Sequence, residues 1–367
     1  MASVESYDTK AGKRYRVRYR KPDGSSTDKR GFKRKRDATD WAADNVTVAI
    51  NTGSYTDPTA GRRKVRDIYQ SYIDSHRNLW KPSYLHPLEI TWRVHIEEQF
   101  GDRAIASIRR SEMQTFVNEL AKRRSASVTL RAFGIFKGIF EIATGDNLIA
   151  RADAIENIKL PHKPTRKENR HYLTPRQLVD LSAHCGRHGT LILVLGFCGL
   201  RWGEAAGLHA EDVDVGNLVL HVRRTVTRVG SDYIEGLPKS WEVRDVPVPA
   251  KLGPMLSELK SVLQADEPVF TDGDGHSPRP QSVGKRAHGW WAKALEDTGL
   301  ESMPPHDLRH TAASIAVSAG ANVKALQRML GHKSAAMTLD TYADLFDSDM
   351  REVASRVNGL IPGLDLK

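Results

Sequence analysis

Apolar positions along this chain recur with more than one spacing, and the spacing changes where Pro, Gly and basic residues accumulate. Tyr15, Val17 and Tyr19 alternate with Arg14, Arg16, Arg18 and Arg20, the two-residue period of a strand with one packing face and one cationic face. Pro22-Asp23-Gly24 marks a turn, and the pattern from Ala38 to Ile50 predicts a helix. Composition then marks a linker over residues 51–64. Beyond it the period becomes helical: Val65, Ile68, Tyr69, Tyr72 and Ile73 share one face, as do Met113, Phe116, Val117 and Leu120. Residues 83–99 read as helical despite Pro87, and an apolar-rich helix follows from about Val128 to Ala143. Residues 159–170, rich in Pro and basic side chains, form a second linker suited to an extended strap.

From Leu173 the pattern is mixed. Thr174-Pro175 supplies an N-cap and first helical position, and Leu191 to Leu200 is a nearly unbroken apolar run. Two strand-like runs, Leu218–Val229 and Val243–Val248, are joined by a loop that carries Lys239. Pro304-Pro305 precedes a helix whose Leu308, Ala312, Ile315 and Ala319 repeat every three or four residues, and Gly320 ends it. The fold class expected is multidomain α+β: a small N-terminal sheet with a helix, an all-α bundle, and a mainly α third domain with a small β-sheet.

Composition narrows the class. A chain of 367 residues has room for two to three domains with their own cores. The longest apolar run is half of the roughly 20 residues a bilayer span needs, and the first residues lack a signal-peptide apolar region. Cys185 and Cys198 are too few for a disulfide framework, so a reducing cytoplasm is the expected location and no membrane partner is expected. The net charge is +10. Residues 10–36 alone carry thirteen Lys or Arg, including Lys33, Arg34, Lys35 and Arg36, against Asp23 and Asp28. The basic excess is therefore local, and a polyanion is the expected partner. Exposed Arg109, Arg110, Lys122, Arg123 and Arg124 suggest a second DNA-facing surface, although solvated helix faces explain them almost as well.

The chemistry gathers in the last third. His306 and Arg309 lie three apart, so both can point at a target beyond their helix start. Gly199 permits a tight turn that sets Arg201 at the mouth of a helix, where it could also simply pair with Glu204. Arg201 and Arg309 offer charged forks suited to two phosphate oxygens. His306 and His332 can donate hydrogen bonds or move a proton. Tyr342 is an oxygen nucleophile whose ordinary pKa of about 10 calls for assistance at neutral pH. A lysine such as Lys239, on a loop between strands, is by itself usually solvated.

Gly199-Leu200-Arg201-Trp202-Gly203-Glu204, His306-Asp307-Leu308-Arg309-His310-Thr311, Leu330-Gly331-His332 and Tyr342 resemble, in order, the motifs of tyrosine recombinases of the phage integrase type. Pro238-Lys239-Ser240 followed by Arg244-Asp245-Val246-Pro247 resembles the family's lysine hairpin. The resemblance implies a DNA breaking-rejoining fold, with an arm-type DNA-binding domain over 1–55, a linker over 56–64, a core-type domain over 65–158, a linker over 159–170 and a catalytic domain over 171–367. It implies that Arg201, Arg309, His306 and His332 hold the scissile phosphate, that Lys239 is the acid and that Tyr342 attacks. Integration through a 3′-phosphotyrosine and a Holliday junction would follow, carried out by a tetramer on double-stranded core and arm sites, with DNA-bending and directionality proteins as accessory partners. Neither cofactor nor metal is then required, and the sequence has no Gly-x-x-x-x-Gly-Lys phosphate loop.

Rival readings rest on fewer residues. His306 and His310 have the spacing of a zinc helix, but Asp307 stands where that motif has glutamate and Arg309 would set a cation beside the metal. Glu211, Asp212 and Asp214 could serve a metal-dependent transposase or nuclease, yet at a helix-to-strand turn such acids usually cap and solvate. A Xer-like or transposon recombinase shares the expected chemistry. A type IB topoisomerase shares it too but needs no arm-binding domain, and a noncatalytic DNA-binding protein has no use for Arg201, Arg309 and Tyr342 together.

Overall fold

The computed structural model describes residues 2–22, 24–48, 59–163, 172–237, 243–281 and 287–346, together with positions 50, 283, 355, 357 and 358. It divides into two compact units, Met1–Pro164 and Thr165–Lys367. Both linker cores, residues 51–58 and 164–170, lie outside the described residues, as do Lys239 and nearly all of the tail from Arg351.

The first unit opens with strands β1 (Ser3–Thr9), β2 (Gly12–Arg20) and β3 (Ser26–Phe32), paired antiparallel in that order. The alternation in β2 has the predicted consequence. Val17 and Tyr19 are buried against Ala38, Ala42 and Val46, while Arg18 and Arg20 are exposed. Helix α1 (Lys35–Ala42) supplies those alanines and continues as a wide turn over Ala43–Val48. Trp41 closes the cluster, tilted against Tyr19 and Phe32 with ring centres 6.1 and 5.8 Å away.

A separate all-helical core follows. Helices α2 (Val65–His76), α3 (Pro82–Thr91), α4 (Glu97–Phe100), α5 (Arg110–Arg123) and α6 (Ala126–Gly145) surround Phe100, Phe116, Phe136 and the stacked pair Tyr69–Trp92. Met113, Phe116, Val117 and Leu120 are all buried, as the period of α5 requires. Pro87 sits inside α3, which passes through a wide turn at Trp92–Ile96 before α4. Pro87 is the sixth residue of that helix, so it removes the one intrahelical bond its N–H would have made to residue 83.

In the second unit α7 (Pro175–Ala183) begins with a capping box, Thr174 accepting from the Gln177 amide while Gln177 accepts from the Thr174 amide. Helix α8 (Gly189–Cys198) is buried along nearly its whole length, which is why its sequence shows no amphipathic period. Next come α9 (Trp202–Ala206), strands β4 (Val213–Asp214), β5 (Val219–Val222), β6 (Thr225–Val229), β7 (Asp232–Gly236) and β8 (Arg244–Pro247), and α10 (Gly253–Ser261). Helices α11 (Trp290–Asp297), α12 (Asp307–Ser318), α13 (Val323–Leu330) and α14 (Ala335–Phe346) complete the described part. No helix among the described residues is long and apolar enough to cross a membrane.

Two expectations are corrected here. The run Leu218–Val229 is two strands in different sheets: β5 pairs with β4 and β8, while β6 pairs with β7. The break falls at Arg223-Arg224, where Arg224 is drawn to Glu211 at 2.6 Å and both arginines approach Asp212. Strand β7, Asp-Tyr-Ile-Glu-Gly, carries too little apolar alternation to announce itself. In α12, Leu308 and Ala312 are buried as expected, but so are Asp307, Arg309 and Thr311, and Ala319 is exposed. Three of the seven buried residues of α12 are therefore polar, which turns attention to what they face.

The packing of α6 gives a paired prediction. A Cβ on buried Gly138 would fall 2.2 Å from the Tyr72 ring, whereas exposed Gly134 has nothing within 4 Å. Denaturant melts should show Gly138→Ala destabilised by about 1–3 kcal/mol through overpacking and Gly134→Ala stabilised by roughly 0.5–1 kcal/mol through helix propensity.

Candidate active site

The site is organised by the end of α13. Gly331 follows that helix in the left-handed conformation, φ 63°, and a Cβ there would lie 3.0 Å from the Arg244 side chain, so glycine suits it on both counts. The last carbonyls of a helix have no amide partners within it. Here three successive ones accept from guanidinium groups: Met329 from Arg244 Nε at 3.1 Å, Leu330 from Arg309 Nη2, and Gly331 from Arg201 Nη2 at 3.3 Å. The negative end of the helix dipole adds to each contact.

Each arginine reaches that point from a different element. Arg201 caps α9 because α8 ends at Gly199, whose φ of 68°, with a Cβ there falling 2.8 Å from the Leu330 side chain, disfavours any other residue. The Gly199 carbonyl accepts from Arg309 Nη1 at 2.5 Å. Arg309 comes from the first turn of α12 and is 3% exposed. Arg244 comes from β8, on the same face as fully buried Val246.

One carboxylate joins them. Glu204 is buried, receives Arg244 in a fork at 3.1 and 2.7 Å, and receives Arg201 Nη1 at 2.6 Å and the Arg201 amide at 2.9 Å. Burial pushes the Glu204 carboxyl up, but the hydrogen bonds and charge of Arg244, then Arg201, outweigh it and hold it at about 2. Three cations thus share one anion. Burial, then repulsion from Arg201 and Arg244, brings Arg309 down to about 9, so it remains charged at neutral pH. Burial together with the charges of Arg309, Arg201 and Arg244 lowers His332 to about 4, and at neutral pH its ring is uncharged. His332 Nδ1 meets the buried Thr338 hydroxyl at 3.0 Å.

Tyr342 lies beside this cluster. It is 1% exposed, packs with Ala313, Val317, Leu326 and Leu330, and interrupts the helical dihedrals of α14 with φ −131° and ψ 18°. Its ring is nearly parallel to that of His332 with centres 6.3 Å apart, and its hydroxyl is 2.8 Å from Nδ1 of His310. His306, exposed at the start of α12, stacks edge-on to His310 with ring centres 5.7 Å apart.

The structure therefore brings Arg201, Arg309, His332 and Tyr342 together, with His306 adjoining through His310. Lys239 is outside the described residues. In the first unit Arg18, Arg20, Lys33, Arg34, Lys35 and Arg36 are exposed and Arg14 is half-buried. Arg16 is bound to Glu5 at 2.8 Å and lies 3.7 Å from Asp28, so it is less available than its neighbours. Glu211, Asp212 and Asp214 serve as ion-pair partners and caps, through Arg224, the His209 amide and Asn217 respectively. Sequence reasoning missed the role of Arg244; an arginine alternating with valines on a strand face was its signal. It also gave no role to His310, which entered within a family motif and as half of a zinc pair.

Residues 171–349 match the family model described as the phage integrase family, and residues 64–121 match the N-terminal SAM-like domain of phage integrases. A tyrosine recombinase XerC-like protein of Caldanaerobacter subterraneus is 25% identical over 312 residues, 76% of this chain and 78% of that one. The fold is that of the Tn1549 transposon integrase in complex with transposon right end DNA, with a TM-score of 0.63 over 80% of this chain and 100% of the other at 23% identity. It is also that of a lambda integrase in a tetramer bound to a Holliday junction, with a TM-score of 0.55 over 90% of this chain and 96% of the other at 16% identity. The chain belongs to the phage integrase family. It is a site-specific tyrosine recombinase.

Two stability predictions follow from the charge arrangement. Glu204→Ala removes the buried carboxylate that half-buried Arg244 and Arg201 share and should cost about 3 kcal/mol in denaturant unfolding. His332 has a folded pKa of about 4 against 6.5 unfolded. Between those values the unfolded chain holds a proton that the folded chain lacks, so stability falls as pH drops from about 6.5 to 4. A His332→Gln chain should show a shallower loss over that window.

Proposed function

We propose that the recombinase cuts DNA by attack of Tyr342 on a scissile phosphate, forming a covalent 3′-phosphotyrosine, and rejoins it when a 5′ hydroxyl of a second strand attacks that link. The observation that supports this best is the excess of positive charge near a buried tyrosine: two guanidinium groups bonded to one carboxylate, with that of Arg309 within the same field, leave the cluster net positive. A phosphate there would be held by Arg201 and Arg309, whose forks fit its non-bridging oxygens. As negative charge spreads over those oxygens in the pentavalent state, fixed donors stabilise it without reorganising. Neutral His332, with Thr338 donating to Nδ1, would present Nε2–H as a further donor, and His306 would donate from the helix start. Lys239 would protonate the departing 5′ oxygen.

The cationic face of β2, with Lys33, Arg34, Lys35 and Arg36, suits docking on phosphates beside a groove, and we assign residues 1–55 to arm-type sites. Residues 65–158 would grip the core site and residues 171–367 would cut it. A tetramer exchanging strands through a Holliday junction, with bending and directionality proteins, is the assembly this reading implies, acting on DNA in the bacterial cytoplasm to integrate and excise a mobile genome. The strand-transfer chemistry uses protein groups alone.

On a nicked suicide DNA, the wild type should accumulate a protein–DNA adduct in EDTA, and Tyr342→Phe should bind but form none. Arg309→Ala should slow adduct formation by about 10²- to 10³-fold, the usual loss for a transition-state donor. An adduct in the Phe chain, or strict dependence on Mg²⁺, would contradict the mechanism. Deleting residues 1–60 should preserve cleavage of a core site while abolishing integration that needs distant arm sites, read by a two-plasmid recombination assay.

A further inference from the structure

The Tyr342 hydroxyl is a poor nucleophile until it loses its proton, and a base within about 2.6–3.2 Å is the usual remedy. His332, assigned to the phosphate, does not occupy that place. His332 lies parallel to the tyrosine with ring centres 6.3 Å apart, and its Nδ1 is engaged with Thr338. His306 is exposed at the start of α12. Nδ1 of His310 is at hydrogen-bond distance, 2.8 Å from the hydroxyl, with the two rings at 63° and their centres 5.5 Å apart. His310 is half-buried and adjoins Arg309 in sequence, on the helix that also carries His306 one turn earlier.

We propose that His310 is the general base of the cleavage step, a catalytic residue in contact with the reacting oxygen; this rests on Tyr342 being the nucleophile. The Tyr342 oxygen forms its bond to phosphorus, the bond from phosphorus to the 5′ oxygen breaks, and the phenolic proton passes to Nδ1 of His310. The 5′ oxygen leaves with a proton from the opposite side, for which Lys239 is the proposed donor. On resealing, the incoming 5′ hydroxyl gives up its proton on that side, and the His310 imidazolium returns its proton to the departing phenolate. The bond from His310 also orients the tyrosine before DNA arrives, on a side chain that is 1% exposed as a whole.

The test separates proton transfer from orientation. His310→Asn keeps an amide atom near the position of Nδ1 and can still hold the hydroxyl, but cannot take a proton. In single-turnover cleavage of a nicked suicide DNA by the full chain, His310→Asn should slow adduct formation by about 10²-fold or more, the usual worth of a positioned base, with DNA binding and melting temperature unchanged. A fluorinated tyrosine at position 342, acidic enough to ionise near neutral pH, should remove most of that penalty because it no longer needs a base. His310→Gln, read in the same way, provides an independent variant if the asparagine chain is poorly folded. Wild-type cleavage by His310→Asn would overturn the proposal, and a penalty that fluorination leaves intact would reduce His310 to a positioning residue. Failure of the nucleophile reading looks different: Tyr342→Phe would still form an adduct whatever stands at position 310.

Discussion

The last three carbonyls around the end of α13 are the constraint on which the candidate site depends. A helix end buried in a protein needs donors for its carbonyls, and here Arg244, Arg309 and Arg201 supply them. Buried cations in turn need an anion or an accepting dipole, and Glu204 and the helix end meet that need only partly. The arginines are thus held at fixed positions by groups that leave the cluster positively charged. A phosphate entering such a site meets charge that is already oriented, which is the condition for electrostatic stabilisation of a transition state.

The rest of the second unit serves this arrangement. α8 is buried so that its end can turn at Gly199 and deliver both the Gly199 carbonyl to Arg309 and Arg201 to the start of α9. Gly203 allows α9 to lie against β6, since a Cβ there would meet the Val226 carbonyl at 2.6 Å. α12 carries Arg309 inward beside Thr311, whose hydroxyl accepts from the Leu173 amide at 3.1 Å and ties the start of the unit to the helix at its centre. Tyr342 is then packed against α12 and α13 by Ala313, Val317, Leu326 and Leu330.

Much of this was legible in the sequence because it rests on local signals. The capping box at Thr174, the four buried positions of α5, the alternating face of β2 and the glycine turn before Arg201 all depend on spacing and residue type within a few positions. The family motifs carried Arg201, His306, Arg309, His332 and Tyr342 as well. What stayed hidden depends on partners distant in the chain. Arg244 acquires its meaning from Glu204, 40 residues earlier, and from a carbonyl 85 residues later. His310 does so from Tyr342, 32 residues on. The split of Leu218–Val229 into two sheets follows from ion pairs of Arg223 and Arg224, which no periodicity records.

The claim that the arginines are organised before DNA binds can be tested by NMR of the full chain labelled with ¹⁵N-arginine, without DNA. Arg201, Arg244 and Arg309 should give side-chain N–H signals that are dispersed and slow to exchange with water, and Glu204→Gln should shift all three together. Signals at free-arginine positions with fast exchange, or an Arg309 that ignores the change at Glu204, would contradict a preassembled site.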